Sequence, residues 1–268
     1  MSHEELNRLY RDYRGKRYLR VRQRWEPWYT RAVNEATLQA GVAGARQEAL
    51  RHLLWQAGWQ PGERRLIVDI GGDRGQCIPL DCSDGAYVLE TSAVEPVPGV
   101  QRISSLEELP RPVGLVLCLH VLEHLPDPVG FLKQIVQSGQ LEPGCLVVLE
   151  VPLERPWLGP GLGSRVYRSW LERLSRWGCL MIGLDFFATA ARLKLGVVTP
   201  PLFGKLHEHV QFFSVKSLMH ACQNTGLSLE SDKAIHRTGI RQARDQVQFL
   251  VRTKMAEHPI PESNDDHQ

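Results

Sequence analysis

A short apolar strand, followed at once by a glycine-rich turn, constrains this chain more than any other feature. The strand and turn read Leu66-Ile67-Val68-Asp69-Ile70-Gly71-Gly72-Asp73-Arg74-Gly75. A parallel strand buried on both faces is an unbroken apolar run, and open α/β sheets bind ligands beyond the carboxyl ends of such strands. Glycines in the turn leave no Cβ atoms to keep a ligand from the backbone. The segment therefore predicts a doubly wound α/β sheet with a binding site at Asp69, Gly71, Gly72, Asp73 and Gly75.

A second apolar segment also ends in a carboxylate. Gly85 to Leu89 reads as a strand, and Glu90 follows it about twenty residues after the glycine turn. Nucleotide-binding sheets place an acid there that accepts hydrogen bonds from ribose hydroxyls. We therefore predict that Glu90 binds a ribose, with a solvated loop glutamate as the alternative.

The glycine spacing separates two kinds of nucleotide site. The dinucleotide fingerprint has glycine at the first, third and sixth positions, where this chain has Gly71, Asp73 and Gln76. The turn is closer to Asp-x-Gly-x-Gly-x-Gly, with Asp73 in place of the middle glycine. That pattern is the first motif of class I S-adenosylmethionine-dependent methyltransferases, which the chain resembles here.

The next apolar run, Val113 to Leu119, leads into a more specific segment, His120-Val121-Leu122-Glu123-His124-Leu125-Pro126-Asp127-Pro128. This segment resembles the signature of the methyltransferase group called Methyltransf-23. Two later stretches follow the same family in order: Pro143-Gly144 before an apolar strand at 145–152, and Leu206 to Ser214 before a helix from Val215 to Thr225.

The resemblance spans residues 66–226 and carries several expectations. It implies a Rossmann-like, seven-stranded, mostly parallel sheet with helices on both faces, and S-adenosyl-L-methionine as the cofactor. It places Leu119 and His120 near the methionine or adenine of that cofactor. A metal site at the nearby His-Glu-His cluster is not favoured, because Pro126 and Pro128 mark a loop and not the stable helix that zinc motifs use.

The N-terminal region, residues 1–62, is predicted as a helical extension with unusual chemistry. Between Arg8 and Arg31 it holds nine basic residues against Asp12 and Glu26, although the whole chain has a net charge of only +2. Basic residues interleaved with aromatics can grip phosphates and stack on sugars or bases. A substrate cap, an amphipathic helix packed on the sheet and a nucleic-acid surface all stay open, the last disfavoured by the nearly neutral chain. The resemblance implies a lid, with site candidates Tyr13, Arg14, Tyr18 and Tyr29.

The remaining organisation is a methyltransferase domain at 63–254, a helical insertion within it at 153–205 and a disordered tail at 255–268. Inside the insertion, 165–195 carries apolar and aromatic residues at helical spacing with arginines at both ends. Such a helix can lie on a membrane surface, form a lid or make a dimer face. Peripheral membrane contact and an oligomer are thus both open.

Catalysis of methyl transfer requires positioning above all, because the sulfonium is already an activated leaving group. A hydroxyl acceptor also needs a base, and His207 and His209 are the candidates, with helix capping as the alternative role. The expected acceptor is a small-molecule or carrier-linked glycan hydroxyl, as in polysaccharide biosynthesis, with natural products next. A non-catalytic binding subunit and an RNA methyltransferase are the alternatives.

The chain has no apolar run of the ~20 residues that a membrane-spanning helix needs, and its first residues are polar. Its six cysteines show no Cys-x-x-Cys pair, so we expect buried thiols and not a disulfide or zinc framework. These features predict a cytoplasmic protein.

Overall fold

A computed structural model describes residues 10–13, 15–25, 29–32, 40–60, 62–152, 169, 172–173, 176–180, 182–184, 186–187, 211, 213–229, 235–237 and 246–253. Its strands are β1 Arg65–Ile70, β2 Ser83–Leu89, β3 Val100–Ile103, β4 Val113–Leu119, β5 Leu141–Pro152, β6 Leu227–Leu229, β7 Ile235–Arg237 and β8 Gln246–Thr253. Its helices are α1 Lys16–Trp25, α2 Ala40–Gln56, α3 Pro128–Gln137 and α4 Val215–Gln223. Single 3₁₀ turns lie at Leu80–Cys82, Leu106–Glu108 and Leu122–His124.

The strands form one mixed sheet in the order β3-β2-β1-β4-β5-β8-β6, with β7 also paired to β8. Strands β1 to β5 are parallel to one another, whereas β8 runs antiparallel to β5, β6 and β7. The strand order reverses between β1 and β4, which is the place where doubly wound sheets open a crevice for ligands. We call the edge formed by the carboxyl ends of β1, β2, β4 and β5 the crest.

The expected α/β architecture with a parallel sheet is confirmed, but the expected count of seven strands is not. Eight strands are described, because the edge next to β8 is shared by two short ones: Leu229 pairs with Val251 and Ile235 pairs with Phe249. From the sequence alone, Leu227 to Ile235 is predicted as one strand that pairs with a strand from Gln246 to Thr253.

Two apolar cores cover the two faces of the sheet because β1 and β4 are buried on both sides. Along β4 every residue is buried, with Val116 and Cys118 in one core and Leu115 and Leu117 in the other. Helices α3 and α4 pack in the first core through residues such as Leu132 and Leu218. Helix α2 packs in the second core.

The position of α2 follows from its apolar spacing. Leu50, Leu53 and Leu54 are each at most 1% exposed and lie on one face, as residues three and four apart do on a helix. Arg46 lies one turn before Leu50 on the same face. The helix therefore carries a charged side chain along the sheet toward the crest.

Local sequence signals explain where α3 and α4 begin. The side chain of Asp127 caps α3 by accepting a hydrogen bond from the backbone N–H of Gly130, and Pro128 occupies the first helical turn, where no N–H is needed. Ser214 caps α4 in a reciprocal capping box with Ser217. Asp127 and Ser214, which belong to the family-like motifs, are thus helix N-caps.

Most of the expected insertion and all of the expected tail, 255–268, lie outside the described residues, so both remain predictions. The described fragments of the insertion are helical at 172–173, 178–180 and 182–184. None of the described helices combines the length and apolar character needed to cross a bilayer. Of the six free cysteines, Cys179 is exposed and Cys82 is partly so, contrary to the expectation that all are buried.

Candidate active site

The glycine turn follows β1 directly at the crest. Gly71 has φ +66° and is exposed, and a Cβ atom there would lie 2.9 Å from Cγ2 of Val121 in the loop after β4. A Cβ atom at Gly72 would lie 2.2 Å from Oδ2 of Asp69. Both positions therefore require glycine, because the turn is pressed between the β4 loop and the strand-end acid.

Asp69 lies beneath this turn, in surroundings that disfavour its ionised form. Its side chain is 1% exposed, and Oδ1 has no hydrogen-bond partner among the described residues. Burial raises the pKa of Asp69 to about 8, and the nearby carboxylates of Glu90, Glu150 and Asp73 add to the shift while Arg46 opposes it. The crest is therefore rich in acidic groups, and it suits a ligand that brings positive charge or hydrogen-bond donors.

Asp73 and Glu90 join the glycine turn to the end of β2. Asp73 has φ +60°, a left-handed conformation that aspartate tolerates better than most side chains, which explains how it replaces the middle glycine of the motif. Its backbone N–H donates to Oε2 of Glu90 at 3.2 Å, and the N–H of Ser92 donates to Oε1 at 2.9 Å. Glu90 is partly exposed and directed to the turn, as a ribose-binding acid must be.

The end of β4 brings Leu119 and His120 to the crest beside this turn. Leu119 is 9% exposed, whereas the His120 side chain is 26% exposed. His120 has φ +59°, and its backbone N–H donates to the carbonyl of Glu150 on the neighbouring strand at 2.8 Å. A left-handed histidine is costly unless its contacts hold it, so this conformation marks a constrained position.

Both ring nitrogens of His120 contact buried carboxylates. Nδ1 lies 3.0 Å from Oε1 of Glu123, and Nε2 lies 2.8 Å from Oε1 of Glu150. Burial disfavours the charged ring, but the two carboxylates outweigh it and raise the pKa of His120 to about 9. His120 is thus an imidazolium at neutral pH and has no free nitrogen to serve as a base.

Sequence reasoning missed the two residues that complete this network. Arg46 places Nη2 2.9 Å from the same Oε1 of Glu150, whose side chain is 1% exposed. The position of Arg46 one turn before Leu50 on the apolar face of α2 was the available signal. Glu150 was hidden in an apolar strand, where a carboxylate is expected only if it is paired.

Glu123 fixes the loop that follows His120. Its side chain is fully buried, and its backbone carbonyl accepts a hydrogen bond from the N–H of Gln211 at 3.0 Å. The amide of Gln211 donates to the carbonyl of Pro126 at 3.1 Å. The Leu-Glu-His part of the motif therefore holds the loop together by side-chain and backbone bonds.

The N-terminal extension reaches the same loop. The hydroxyl of Tyr10 lies 3.0 Å from Nδ1 of His124, and the ring of Tyr13 contacts those of Tyr10 and Tyr18. Tyr18 is 4% exposed and contacts Arg22, whose guanidinium lies 3.7 Å from the ring centre of Tyr29.

Of the extension's described site candidates, Tyr18 and Tyr29 are buried and Tyr13 is partly exposed. Arg14, His207 and His209 lie outside the described residues. The proposed roles of all six remain predictions.

Comparison with known proteins identifies the family. The Methyltransf_23 family, described as a methyltransferase domain, matches residues 42–232. The chain belongs to this methyltransferase family. No curated protein gives a match.

Solved structures share the fold of this methyltransferase. Magnesium protoporphyrin IX methyltransferase from Synechocystis PCC 6803 with bound S-adenosylmethionine is 11% identical with a TM-score of 0.51, over 93% of this chain and 97% of that one. A Burkholderia thailandensis 1,6-didemethyltoxoflavin-N1-methyltransferase with bound S-adenosylhomocysteine is 14% identical with a TM-score of 0.47, over 78% of each chain.

The protein is an S-adenosylmethionine-dependent methyltransferase, and the residues at the crest fit that cofactor. The glycine turn leaves a backbone surface free of side chains at Gly71, and the partly exposed Glu90 carboxylate can accept from ribose hydroxyls. Oδ1 of the buried Asp69 has no hydrogen-bond partner in the described part of the chain, and together with the surrounding carboxylates it suits a positively charged donor. When bound, S-adenosylmethionine supplies an activated methyl group.

Proposed function

We propose that this methyltransferase modifies a hydroxyl of a sugar or glycan, free or carrier-linked, with natural-product hydroxyls as the next acceptor class. The supporting observation is the contact of Tyr10 with His124, which brings the tyrosines of the N-terminal extension beside the crest. Partly exposed aromatic rings at the edge of a methyl-transfer site suit the apolar faces of sugars. The acceptor then enters between the extension and the loop after β4.

We propose the following roles for the chain's residues. Asp69, Gly71, Gly72, Asp73, Gly75 and Glu90 hold the donor, and Leu119 and His120 form the wall beside its reactive end. Tyr13, Arg14, Tyr18 and Tyr29 shape the acceptor side. Because His120 is held as an imidazolium, the proton of the hydroxyl goes to another group, for which His207 and His209 are the candidates.

The exposed residues of the insertion suggest where the protein would contact a carrier-linked acceptor. Trp177, Leu180, Phe186 and Phe187 are exposed there, and so are Arg173 and Arg176. Exposed aromatic and basic residues close together in sequence suit the interface of an anionic lipid surface. A lipid-linked saccharide is therefore part of the proposal.

Label transfer tests the acceptor class. The protein is incubated with methyl-labelled S-adenosylmethionine and, separately, with nucleotide sugars, lipid-linked saccharides and total RNA. We expect the label in a saccharide, in a form that resists alkali, because a methylated hydroxyl is an ether. Label in RNA, or an alkali-labile ester, would contradict the proposal.

A variant of the donor site controls for transfer elsewhere. Replacement of Glu90 by Gln keeps the shape but removes a charge-assisted hydrogen bond worth about 1.5–3 kcal/mol, so cofactor affinity falls by at least roughly tenfold. If the Glu90→Gln variant transfers methyl groups as fast as the wild type at low cofactor concentration, the label comes from another site.

A further inference from the structure

The residues that hold the loop after β4 form a continuous chain of contacts across three elements. Arg46 on α2 contacts Glu150 at 2.9 Å, Glu150 contacts His120 at 2.8 Å, and His120 contacts Glu123 at 3.0 Å. We call these four residues the crest clasp. None of the sequence motifs at the glycine turn or in the loop includes Arg46.

Within the crest clasp, two positive charges face two negative ones. Arg46 and the His120 imidazolium carry two positive charges, and Glu123 and Glu150 carry two negative ones. Both carboxylate side chains are at most 1% exposed. Removal of one member therefore leaves an uncompensated charge where water cannot solvate it.

The clasp also holds a strained backbone in place. His120 keeps φ +59° while its ring is fixed on both sides and its N–H is bonded to the carbonyl of Glu150. Strained conformations of this kind persist where surrounding contacts over-determine them. Loss of Arg46 removes one charged partner of the Glu150 carboxylate and so weakens the hold of Glu150 on the His120 ring.

The clasp is linked directly to the cofactor turn. Val121, next to His120, stands against Gly71 so closely that a Cβ atom there would lie 2.9 Å from it. Arg46 and Glu150 both act electrostatically on Asp69, which lies beneath the same turn. A shift of His120 therefore moves the wall of the cofactor site.

We propose that Arg46 is a positioning residue for the cofactor: through Glu150 and His120 it fixes the wall of the donor site formed by the loop after β4. The inference rests on the methyl-donor site and is independent of the acceptor. Among the described residues, the side chain of Arg46 hydrogen-bonds only to Glu150 and Cys77, so its effect on the cofactor is transmitted through the clasp.

Calorimetric titration with S-adenosylhomocysteine tests the inference without an acceptor. We expect Arg46→Met to raise the Kd roughly tenfold, measured where circular dichroism shows the variant folded. The matched control is Arg51→Met, because Arg51 lies on the same helix and forms an exposed double hydrogen bond with Asp81 away from the crest. That variant should bind like the wild type.

Further variants separate positioning from simple support of the fold. Arg46→Lys keeps the charge and should recover part of the affinity, while the double variant Arg46→Met with Glu150→Gln relieves the unpaired charge and carries the test if the single variant does not fold. A melting temperature that falls while the Kd stays within twofold of the wild type would overturn the inference. Wild-type protein that fails to bind the ligand would instead count against the donor site itself.

Discussion

The carboxyl group of Asp69 lies under the glycine turn with 1% exposure and one oxygen without a partner among the described residues. Burial and three neighbouring carboxylates raise its pKa to about 8 from the model-compound value of 3.8. At neutral pH this acid is therefore largely protonated in the ligand-free protein. A buried strand-end acid with so strongly raised a pKa marks a candidate functional site.

The raised pKa of Asp69 makes a prediction about stability and pH. Because the folded state binds this proton more tightly than the unfolded state, stability is lost as the pH rises from about 4 to about 8. Relative to Asp69→Asn, which mimics the protonated group, the wild type should lose up to about 1.4 kcal/mol per pH unit in that window. Urea unfolding of both proteins at about pH 5 and about pH 8 measures the difference.

The comparison of the two proteins also controls for other titrations. His120 has a pKa of about 9, so the stability that it contributes is lost as the pH rises through that value, but it is present in both proteins and its effect cancels. A difference between wild type and Asp69→Asn that does not change with pH would show that Asp69 is ionised throughout.

Some residues of the candidate site could be predicted from the sequence, and others could not. Asp69 and Glu90 were predictable because each ends an apolar strand and a parallel sheet brings such ends together. Arg46 and Glu150 were not, because they meet across 104 residues through the packing of a helix on a strand. Asp73 looked like a defect of the motif, yet its left-handed backbone shows how the turn accommodates it.

Helix α3 follows the β4 loop, and its first turn ties the family-like motif to the fold. Asp127 accepts a hydrogen bond from Gly130 at 2.9 Å, and its carboxylate also lies at the positive end of the helix dipole. The buried side chains of Leu132 and Ile135 then anchor the helix in the core. The cap therefore supports the same loop that carries His120.

Loss of that cap should weaken the whole domain. We expect Asp127→Ala to lower the free energy of unfolding by about 1 kcal/mol, because a backbone N–H at the helix start loses its acceptor. Asp127→Asn keeps an acceptor oxygen and should differ from the wild type by only a few tenths of a kcal/mol. Equal losses in the two variants, measured by urea unfolding, would mean that the carboxylate charge and not the cap matters.

A strand with a continuous apolar run could be predicted from the sequence, whereas short strands without such a run could not. The run from Val113 to Leu119 matches β4 because every position is buried. Strand β3 has only four residues with an exposed middle, so no apolar pattern marks it. The edge beside β8 holds β6 and β7, each three residues long, which a single-strand expectation from 227 to 235 could not separate.

At the scale of the whole molecule, the charged crest and a group of exposed apolar residues lie on different segments. The crest is formed by β1, β2, β4 and β5, whereas the exposed residues Trp177, Leu180, Phe186 and Phe187 belong to the insertion that follows β5. Since β5 ends at the crest, the insertion leaves the sheet on the side where the acceptor must approach. This connection is the architectural argument for a carrier-linked acceptor.

Vesicle binding tests that argument. Vesicles rich in anionic phospholipid should retain the protein, with less retention on neutral vesicles, because the exposed Arg173 and Arg176 come just before the exposed Trp177. We expect Trp177→Ala combined with Phe187→Ala to lower the sedimented fraction severalfold, since these side chains are 69% and 72% exposed. Trp55→Ala is the matched control, because Trp55 is 67% exposed on α2, outside the insertion.

The outcomes distinguish specific binding to a lipid surface from nonspecific adsorption. Equal losses in the Trp55 control and the double variant would indicate nonspecific aromatic adsorption, and equal retention on neutral and anionic vesicles would remove the role of the arginines. If the wild type does not sediment with either vesicle while still binding S-adenosylhomocysteine, the donor site stands and the acceptor is a water-soluble saccharide or natural product.

The exposed aromatic residues would then face another protein surface. Light scattering that detects a dimer, and its loss in the double variant, would identify that surface as a second copy of this chain.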